Sequence, residues 1–143
     1  MGHNSTRIAL YTHVKDNWTA TPVVYGEYDK AGDNYMKTGT PFLYVYISWG
    51  DEVMKSLISE DTALYEGFGI LAFRIFTKVE SGEAIIDQFT DSLKSIFRSK
   101  SINGVLIERM NIDRDGLGIG TGKIWNARYL SFVFSYNTIE TLS

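Results

Sequence analysis

The sequence contains no cysteine, only two prolines and only two histidines. The absence of cysteine excludes disulfide bonds, thiolate nucleophiles and sulfur-ligated metal sites. No window reaches the roughly 18 consecutive apolar residues that a membrane-spanning helix needs. The first seven residues, MGHNSTR, also lack the apolar run of a secretion signal. We therefore expect a protein that is made and kept in a cytoplasm.

The composition predicts a single globular domain that spans residues 1–143 and contains no linker. The hydrophobic fraction is 44%, which is enough for a substantial core. The net charge is −3, and the basic residues are scattered rather than clustered, which argues against sequence-specific nucleic-acid binding. Aromatic residues make up 14% of the chain, including nine tyrosines and three tryptophans. Such a composition is typical of surfaces that contact a partner.

The clearest local signal is a long apolar strand followed by a helix. Residues 66–79, EGFGILAFRIFTKV, have apolar side chains on both alternating sets, which predicts a strand that is buried on both faces. A typical strand has only about 5–6 residues. After Gly82, apolar residues recur at steps of three and four as far as Phe97, which predicts an amphipathic helix.

The rest of the chain predicts one more helix and four more strands. A first helix is capped by Asn4 or Ser5 and places four apolar residues on one side: Ile8, Tyr11, Val14 and Trp18. Four segments read as strands: TPVVY, PFLYVYISW, GVLIERMNID and KIWNARYLSFVFSY. The polar, glycine-punctuated residues 26–40 read as a loop. The predicted fold is α+β: a five-stranded, antiparallel or mixed sheet with two helices on one face, in the order α-β-β-β-α-β-β.

Residues 50–65 fit two interpretations. Their apolar residues, Val53, Met54, Leu57 and Ile58, could form a helical turn or the arms of a long hairpin that turns at SEDT. We favour the hairpin. Acidic residues at its base and tip argue against burial inside the domain, so we expect a projection. A two-stranded hairpin is at best marginally stable in water, so this projection should be mobile until it meets a partner.

The sheet is predicted to have a face that its own chain does not cover. Several strands are apolar on both faces, whereas the two helices cover one. Monomers rarely expose large contiguous apolar patches, so this pattern indicates an assembly, unless loops fold over the second face. The candidate interface residues are Tyr44, Tyr46, Trp49, Met54, Leu57, Ile58, Trp125 and Arg128.

The glycine-rich stretch GLGIGTGK, residues 116–123, is similar to a phosphate-binding loop but fails its spacing. Leu117 stands where the leading glycine belongs, and Ile124 follows the lysine in place of Ser or Thr. A strand follows, whereas the motif requires a helix N-terminus to hold the anion. We interpret the stretch as a turn and predict no nucleotide or other cofactor.

The preceding stretch NIDRDG resembles the front half of a calcium loop. Asn111, Asp113 and Asp115 supply oxygen atoms, but the twelfth position is Gly122 in place of a bidentate carboxylate. Asp and Gly at the end of a strand more often form a turn. We therefore predict no metal site.

Neither histidine has the partners that catalysis needs. His3 lies close to the terminus, and no acid or nucleophile is placed in the sequence to act with His13. No serine lies in a G-x-S-x-G elbow. We therefore predict no catalytic residue and a protein that is not an enzyme.

The order of these segments resembles the tail terminator proteins of long-tailed bacteriophages, a family that includes homologues of minor tail protein U. The resemblance extends from about Arg7 to Tyr136. It is carried by residues that follow in the right order at suitable spacing: Trp18, Pro22, Pro41, Gly67, Gly69, Ile70, Gly82, Phe97 and Trp125.

The resemblance implies a structural virion protein that forms a homo-hexameric ring. Such a ring sits on the finished tail tube, ends its growth and offers a surface to the head–tail connector. Its partners would be copies of itself, the tail tube protein and the connector protein, with genomic DNA passing through the ring and no membrane involved. It would be assembled in the bacterial host cytoplasm and reside in the virion tail. Two alternatives remain open: another tail or connector protein of similar fold, and a small-molecule binding or enzymatic domain that uses the uncovered sheet face.

Overall fold

The computed structural model describes residues 2–26, 30–98, 100–113 and 125–141. In these residues, three α-helices and six strands follow one another, with a 3₁₀ turn at Val79–Ser81 before the last helix. The elements are α1 His3–Asn17, β1 Val23–Tyr25, α2 Lys30–Thr38, β2 Phe42–Ser59, β3 Thr62–Lys78, α3 Glu83–Phe97, β4 Ser101–Ile102, β5 Val105–Asp113 and β6 Trp125–Thr141.

The six strands form one mixed sheet in the order β1-β2-β3-β6-β5-β4. Only β1 and β2 are parallel, and every other neighbouring pair is antiparallel. Two parallel strands cannot be joined by a tight turn, and α2 lies in the connection between β1 and β2. At the centre of the sheet, β3 pairs with β6 from Thr62↔Thr141 to Lys78↔Trp125.

The expected sheet of five strands with two helices is therefore wrong. The additional strand, β4, has two residues, too few to produce a periodic signal. The additional helix, α2, lies within residues 26–40, which the sequence predicted to be a loop. It places Tyr35 and Met36 against the second face of the sheet. Packing of this kind can stabilise a short helix whose sequence has little intrinsic preference for one.

The main core lies between the sheet and the layer formed by α1 and α3. Buried side chains from both layers meet there: Leu10, Val14, Leu43, Val45, Leu71, Phe73, Ile75, Ile86, Leu93, Phe97, Leu130, Phe132 and Phe134. The two helices also contact each other, because Trp18 meets Phe89 edge to face at 5.8 Å. We call this side of the sheet the covered face. The apolar stripe predicted for α3 is confirmed, with Ile86, Leu93 and Phe97 buried.

The predicted stripe of α1 is wrong at its first position. Ile8 is 56% exposed, while Ala9 and Leu10 are buried. The helix also begins earlier than expected, with Gly2 as its N-cap in place of Asn4 or Ser5. One residue step turns a helix by about 100°. A stripe that contains Leu10 and Val14 therefore fits the 3.6-residue period as well as the predicted stripe that begins at Ile8.

Residues 50–65 form the favoured hairpin, because β2 and β3 pair as far as Ser59↔Thr62. The expectation that this projection has only two strands is wrong. β6 runs beyond the predicted end at Tyr136 to Thr141, and it pairs with β3 up to the tip. We call this three-stranded extension, residues 50–67 and 136–141, the arm. Its third strand supplies the backbone partners that an isolated hairpin would lack.

Candidate assembly surface

The second face of the sheet is closed at one end by α2. There, Tyr35 and Met36 pack over a second buried cluster formed by Val24, Phe42, Phe76, Trp125 and Ala127. Trp125, a predicted interface residue, is 2% exposed and lies in this cluster of its own subunit. Tyr44, another candidate, is half-buried at the edge of this cluster. The sequence predicted that another subunit covers this face, whereas at this end the cover is α2 of the same chain.

Beyond α2, no element of the described residues covers the second face, which forms a concavity of about 750 Å³. Its lining includes Tyr46, Ser48, Ile70, Arg74, Tyr129 and Ser131. The strand register brings these residues together, because Ser48 pairs with Ile70 and Arg74 pairs with Tyr129. Alternate residues of neighbouring strands then share one face. Of the predicted interface residues, only Tyr46 lies in this concavity.

Arg74 lines the concavity, and its charged group faces two tyrosine rings. The guanidinium carbon is 5.0 Å from the centroid of the Tyr129 ring and 5.7 Å from that of Tyr46. Both distances fall within the range of cation–π attraction. None of the salt bridges found among the described residues involves Arg74. The concavity therefore offers a positively charged group, held between aromatic rings, whose N–H groups can bind an anion.

The arm carries five of the nine large apolar side chains that are exposed among the described residues. Val53, Met54, Leu57, Ile58 and Ile139 are between 50% and 64% exposed. Met54, Leu57 and Ile58 were predicted as interface residues, and the structure leaves all three accessible. The register places Val53 and Ile139 on one face of the arm and Met54 and Leu57 on the other. Several exposed large apolar side chains on one projection favour a binding function.

Polar contacts give the arm a defined shape. The Lys55 Nζ atom lies 2.7 Å from a carboxylate oxygen of Glu66 on the neighbouring strand. At the tip, Asp61 Oδ1 accepts hydrogen bonds from the hydroxyls of Ser59 at 2.9 Å and Thr62 at 3.3 Å. These bonds lower the pKa of the Asp61 carboxyl, with the Ser59 hydroxyl contributing most. The tip is therefore an ordered, negatively charged turn.

Two predicted interface residues lie on the covered face instead. Trp49 stacks on His3 with ring centroids 3.9 Å apart, and it meets Phe134 edge to face at 5.9 Å. Arg128 forms an ion pair with Asp87 of α3. The predicted set is therefore divided among the closed end of the second face, the concavity, the arm and the covered face.

Two glycines of β3 allow aromatic rings to cross the strand where the arm begins. A Cβ atom at Gly67 would overlap the Tyr136 ring, and one at Gly69 would overlap the Phe134 ring. The Tyr136 hydroxyl crosses over Gly67 and donates a hydrogen bond of 3.1 Å to Glu52 Oε1 on β2. Burial, followed by this bond to the carboxylate, raises the pKa of Tyr136 to about 12.

Sequence reasoning missed Arg74, Tyr129 and Ser131. A detectable signal was the arginine in LAFRIF, a charged residue within an otherwise apolar strand. Its partners Tyr129 and Ser131 come from β6, more than fifty residues later, so only the sheet register brings them to the same place.

The described residues include no group of three or more His, Asp and Glu side chains arranged to hold a metal ion. His13 Nε2 is 2.9 Å from the backbone oxygen of Ile96, and the His13 ring meets Phe97 edge to face.

No helix in the described residues is long and apolar enough to cross a membrane. The glycine-rich stretch and Asp115 lie outside the described residues.

Comparison with known proteins gives structural similarities only. No family model matches the chain, and no curated protein matches it. One similar solved structure, of a protein that carries no functional description, has a TM-score of 0.59 and 13% sequence identity, covering 95% of this chain and 96% of the other. Another is a chain of the virion of a native gene transfer agent particle, with a TM-score of 0.45 and 15% identity, covering 94% and 93% respectively. At 13% identity, the first similarity shows a shared fold.

Proposed function

We propose that this protein is a structural component of a phage virion, and that copies of it form a ring that closes the end of a tail tube. Two lines of reasoning support the proposal. The order of sequence segments resembles tail terminator proteins, and the structure has an arm with exposed apolar side chains. The arm is the observation that carries the proposal. No catalytic role is assigned to the protein.

Among the described residues, the arm also presents one open backbone edge, on β2. β1 pairs with β2 only at residues 43–45, so residues 50–59 of β2 have a strand neighbour on one side only among the described residues. Unpaired strand edges are sites where another chain can add a strand. Apolar side chains and the open edge of β2 thus occur together on one projection.

A ring requires one surface to meet a different surface on the next copy. Such a head-to-tail interface closes when the rotation between copies divides a full turn evenly, and otherwise produces an open filament. The arm and the concavity are two different surfaces of the same subunit, as this arrangement needs. Six copies, with the tube protein and the head–tail connector on opposite sides of the ring, follow from the family resemblance and form part of the proposal.

The concavity also supports a second candidate, a domain that binds a small molecule. Its volume of about 750 Å³ falls within the roughly 300–1,000 Å³ of ligand pockets. Arg74 would select an anionic ligand. This candidate accounts for the concavity but not for the exposed apolar arm, so we place it second.

Tube capping can be measured directly. The protein is mixed with growing tubes of the tail tube protein from the same particle, and tube lengths are measured by negative-stain electron microscopy. We expect wild-type protein to stop growth and to form a ring visible at one end of the tube. Ile58→Ser should lose this effect, whereas Ile8→Ser, which changes an equally exposed isoleucine on α1, should retain it. Tubes of unaltered length and without rings in the presence of wild-type protein would refute the proposal.

A further inference from the structure

We propose that the acidic tip of the arm of one copy, Glu60 and Asp61, binds in the Arg74 concavity of a second copy. This inference rests on the proposed function, because it names the two surfaces that meet between neighbouring subunits.

The concavity has the chemistry of a carboxylate site. The Arg74 guanidinium is held by Tyr46 and Tyr129, so less side-chain freedom is lost when it binds an anion. Its planar array of N–H donors matches the two oxygens of a carboxylate. Ser48 and Ser131 place hydroxyl groups on the same lining. Ile70, which is 41% exposed, adds an apolar contact beside the charge.

The arm tip has the complementary chemistry. Glu60 and Asp61 are exposed at the turn between β2 and β3. Both side-chain hydrogen bonds to Asp61 reach Oδ1, so Oδ2 can accept from a partner. Leu57 and Ile58, directly before the turn, supply exposed apolar groups that can cover Ile70 and the tyrosine rings. The tip therefore offers a negative end with apolar flanks, and the concavity offers a positive centre with an apolar wall.

The tip cannot reach the concavity of its own subunit. Arg74 lies twelve residues beyond Thr62 on the same strand, a distance of ~40 Å at ~3.3 Å per residue. β3 is paired with β6 along that whole length, so it cannot fold back on itself. A contact between tip and concavity must therefore join two copies. It joins two different surfaces and can be repeated from copy to copy around a ring.

Because the chain has no cysteine, disulfide cross-linking can test this contact without background. Glu60→Cys and Ser131→Cys are prepared as separate proteins, mixed in equal amounts and oxidised with diamide. The product is analysed on non-reducing gels, with one variant carrying a size tag. The matched control pairs Glu60→Cys with Ser92→Cys, an exposed position on α3. We expect several-fold more mixed dimer with Ser131→Cys than with Ser92→Cys. Equal yields would overturn the proposal.

Charge exchange provides a second test. Arg74→Glu and Glu60→Arg should each weaken self-association roughly tenfold or more, since each places like charges together at the interface. The double variant should recover a large part of the loss. Urea unfolding of each variant, monitored by tryptophan fluorescence, checks that the exposed substitutions leave folding intact. The proposed contact would be contradicted if both single variants fold and self-associate as strongly as wild type. It would also be contradicted if the double variant self-associates no more strongly than either single variant.

The two proposals can fail separately. Rings that cap tubes normally with Arg74→Glu would refute the tip–concavity contact and leave the proposed function standing. A specific cross-link between Glu60→Cys and Ser131→Cys, in a protein that does not affect tube growth, would support the tip–concavity contact and refute the proposed function. Cross-linking of Ser131→Cys to a cysteine variant of the tube protein, but not to Glu60→Cys, would assign the concavity to the tube and overturn the contact between copies.

Discussion

The two faces of β3 have similar sequences but different surroundings. On the covered face, Leu71, Phe73 and Ile75 are at most 1% exposed beneath α1 and α3. On the second face, Phe76 is buried at the end that α2 closes, whereas Ile70 and Arg74 are exposed. Apolar alternation therefore shows that a strand can be buried on both faces. It does not show whether the cover comes from the same chain or from another one.

Closure of the second face depends on which connection can reach it. β1 and β2 are parallel, so the chain must cross the sheet between them, and this crossover contains α2. It extends over the end of the sheet near Phe42 and Phe76. No described element lies over the region around Arg74, where the concavity is found. The difference between the two faces is therefore a matter of topology rather than of composition.

The largest predicted effect concerns the covered face. Replacing Phe73 with Ala should reduce the free energy of unfolding by ~3–5 kcal/mol, because a large buried side chain is lost and a cavity is left behind. Ile70→Ala, three residues away on the open face, should cost less than about 1 kcal/mol, since its side chain is partly in water already. Urea denaturation of both variants gives the comparison. Similar losses at the two positions would mean that the second face is closed in solution.

The next effect concerns the close approach of β3 and β6 on the covered face. Gly69→Ala should destabilise the protein by ~1–3 kcal/mol, because the new methyl group overlaps the Phe134 ring and forces the core to shift. Gly32→Ala in α2 provides a control that should raise the stability of the protein. Its Cβ would meet only the Phe42 ring at 3.7 Å, and Ala in a helix is favoured over Gly by about 0.5–1 kcal/mol. Thermal unfolding should therefore show a lower Tm for Gly69→Ala and a higher one for Gly32→Ala.

A smaller effect is expected from Tyr136, where the arm joins the covered face. The folded pKa of Tyr136, about 12, exceeds the ordinary tyrosine value of 10.0, so the folded state holds the phenolic proton more tightly than the unfolded state. The resulting stabilisation is fully present below pH 10 and is lost as the pH rises towards 12.

Tyr136→Phe isolates this contribution from those of other groups that titrate at alkaline pH. At neutral pH the variant should be about 1–2 kcal/mol less stable, the cost of a hydrogen bond to a carboxylate. The difference in unfolding free energy between wild type and variant should shrink between pH 10 and 12. A difference that stays constant across this range would show that the Tyr136 pKa is not raised.

The smallest effect on folding is expected on the arm. Ile58→Ser and Ile8→Ser both change isoleucines that are 56% exposed, so each should alter the free energy of unfolding by no more than about 0.5 kcal/mol. The two variants should differ in self-association, measured by sedimentation velocity, because only Ile58 belongs to the proposed interface. A large loss of stability in Ile58→Ser would instead indicate that the arm packs against its own subunit.

The sequence predicted the long elements better than the short ones. The α3 stripe and the hairpin between β2 and β3 carry many periodic residues, and both are present. The helix α2 and the strand β4 were missed. α2 has few apolar residues and is held by contacts with Phe42 and its neighbours, and β4 has only two residues. Local periodicity cannot reveal an element whose stability comes from distant packing.

Of the candidate site, the sequence alone determined the exposed arm residues. Met54, Leu57 and Ile58 lie in a segment with acidic residues at its base and tip, and the structure leaves them in contact with solvent. The sequence did not determine whether Trp125 and Trp49 lie in the core or in an interface, because an aromatic residue in a strand is equally suited to both. Tertiary structure buried Trp125 in the α2-covered cluster and stacked Trp49 on His3.

What the sequence by itself determined is therefore the strands, the amphipathic α3 and the apolar arm, because each follows from the spacing of side chains along a few turns or a single strand. Only the tertiary structure decided which part of the second face is closed and where Arg74 meets Tyr129. The β3–β6 register brings Arg74 next to Tyr129, although the two residues are 55 positions apart in the sequence. The crossover that contains α2 determines which end of the second face is covered. Both depend on which segments come together in space, which local spacing does not specify.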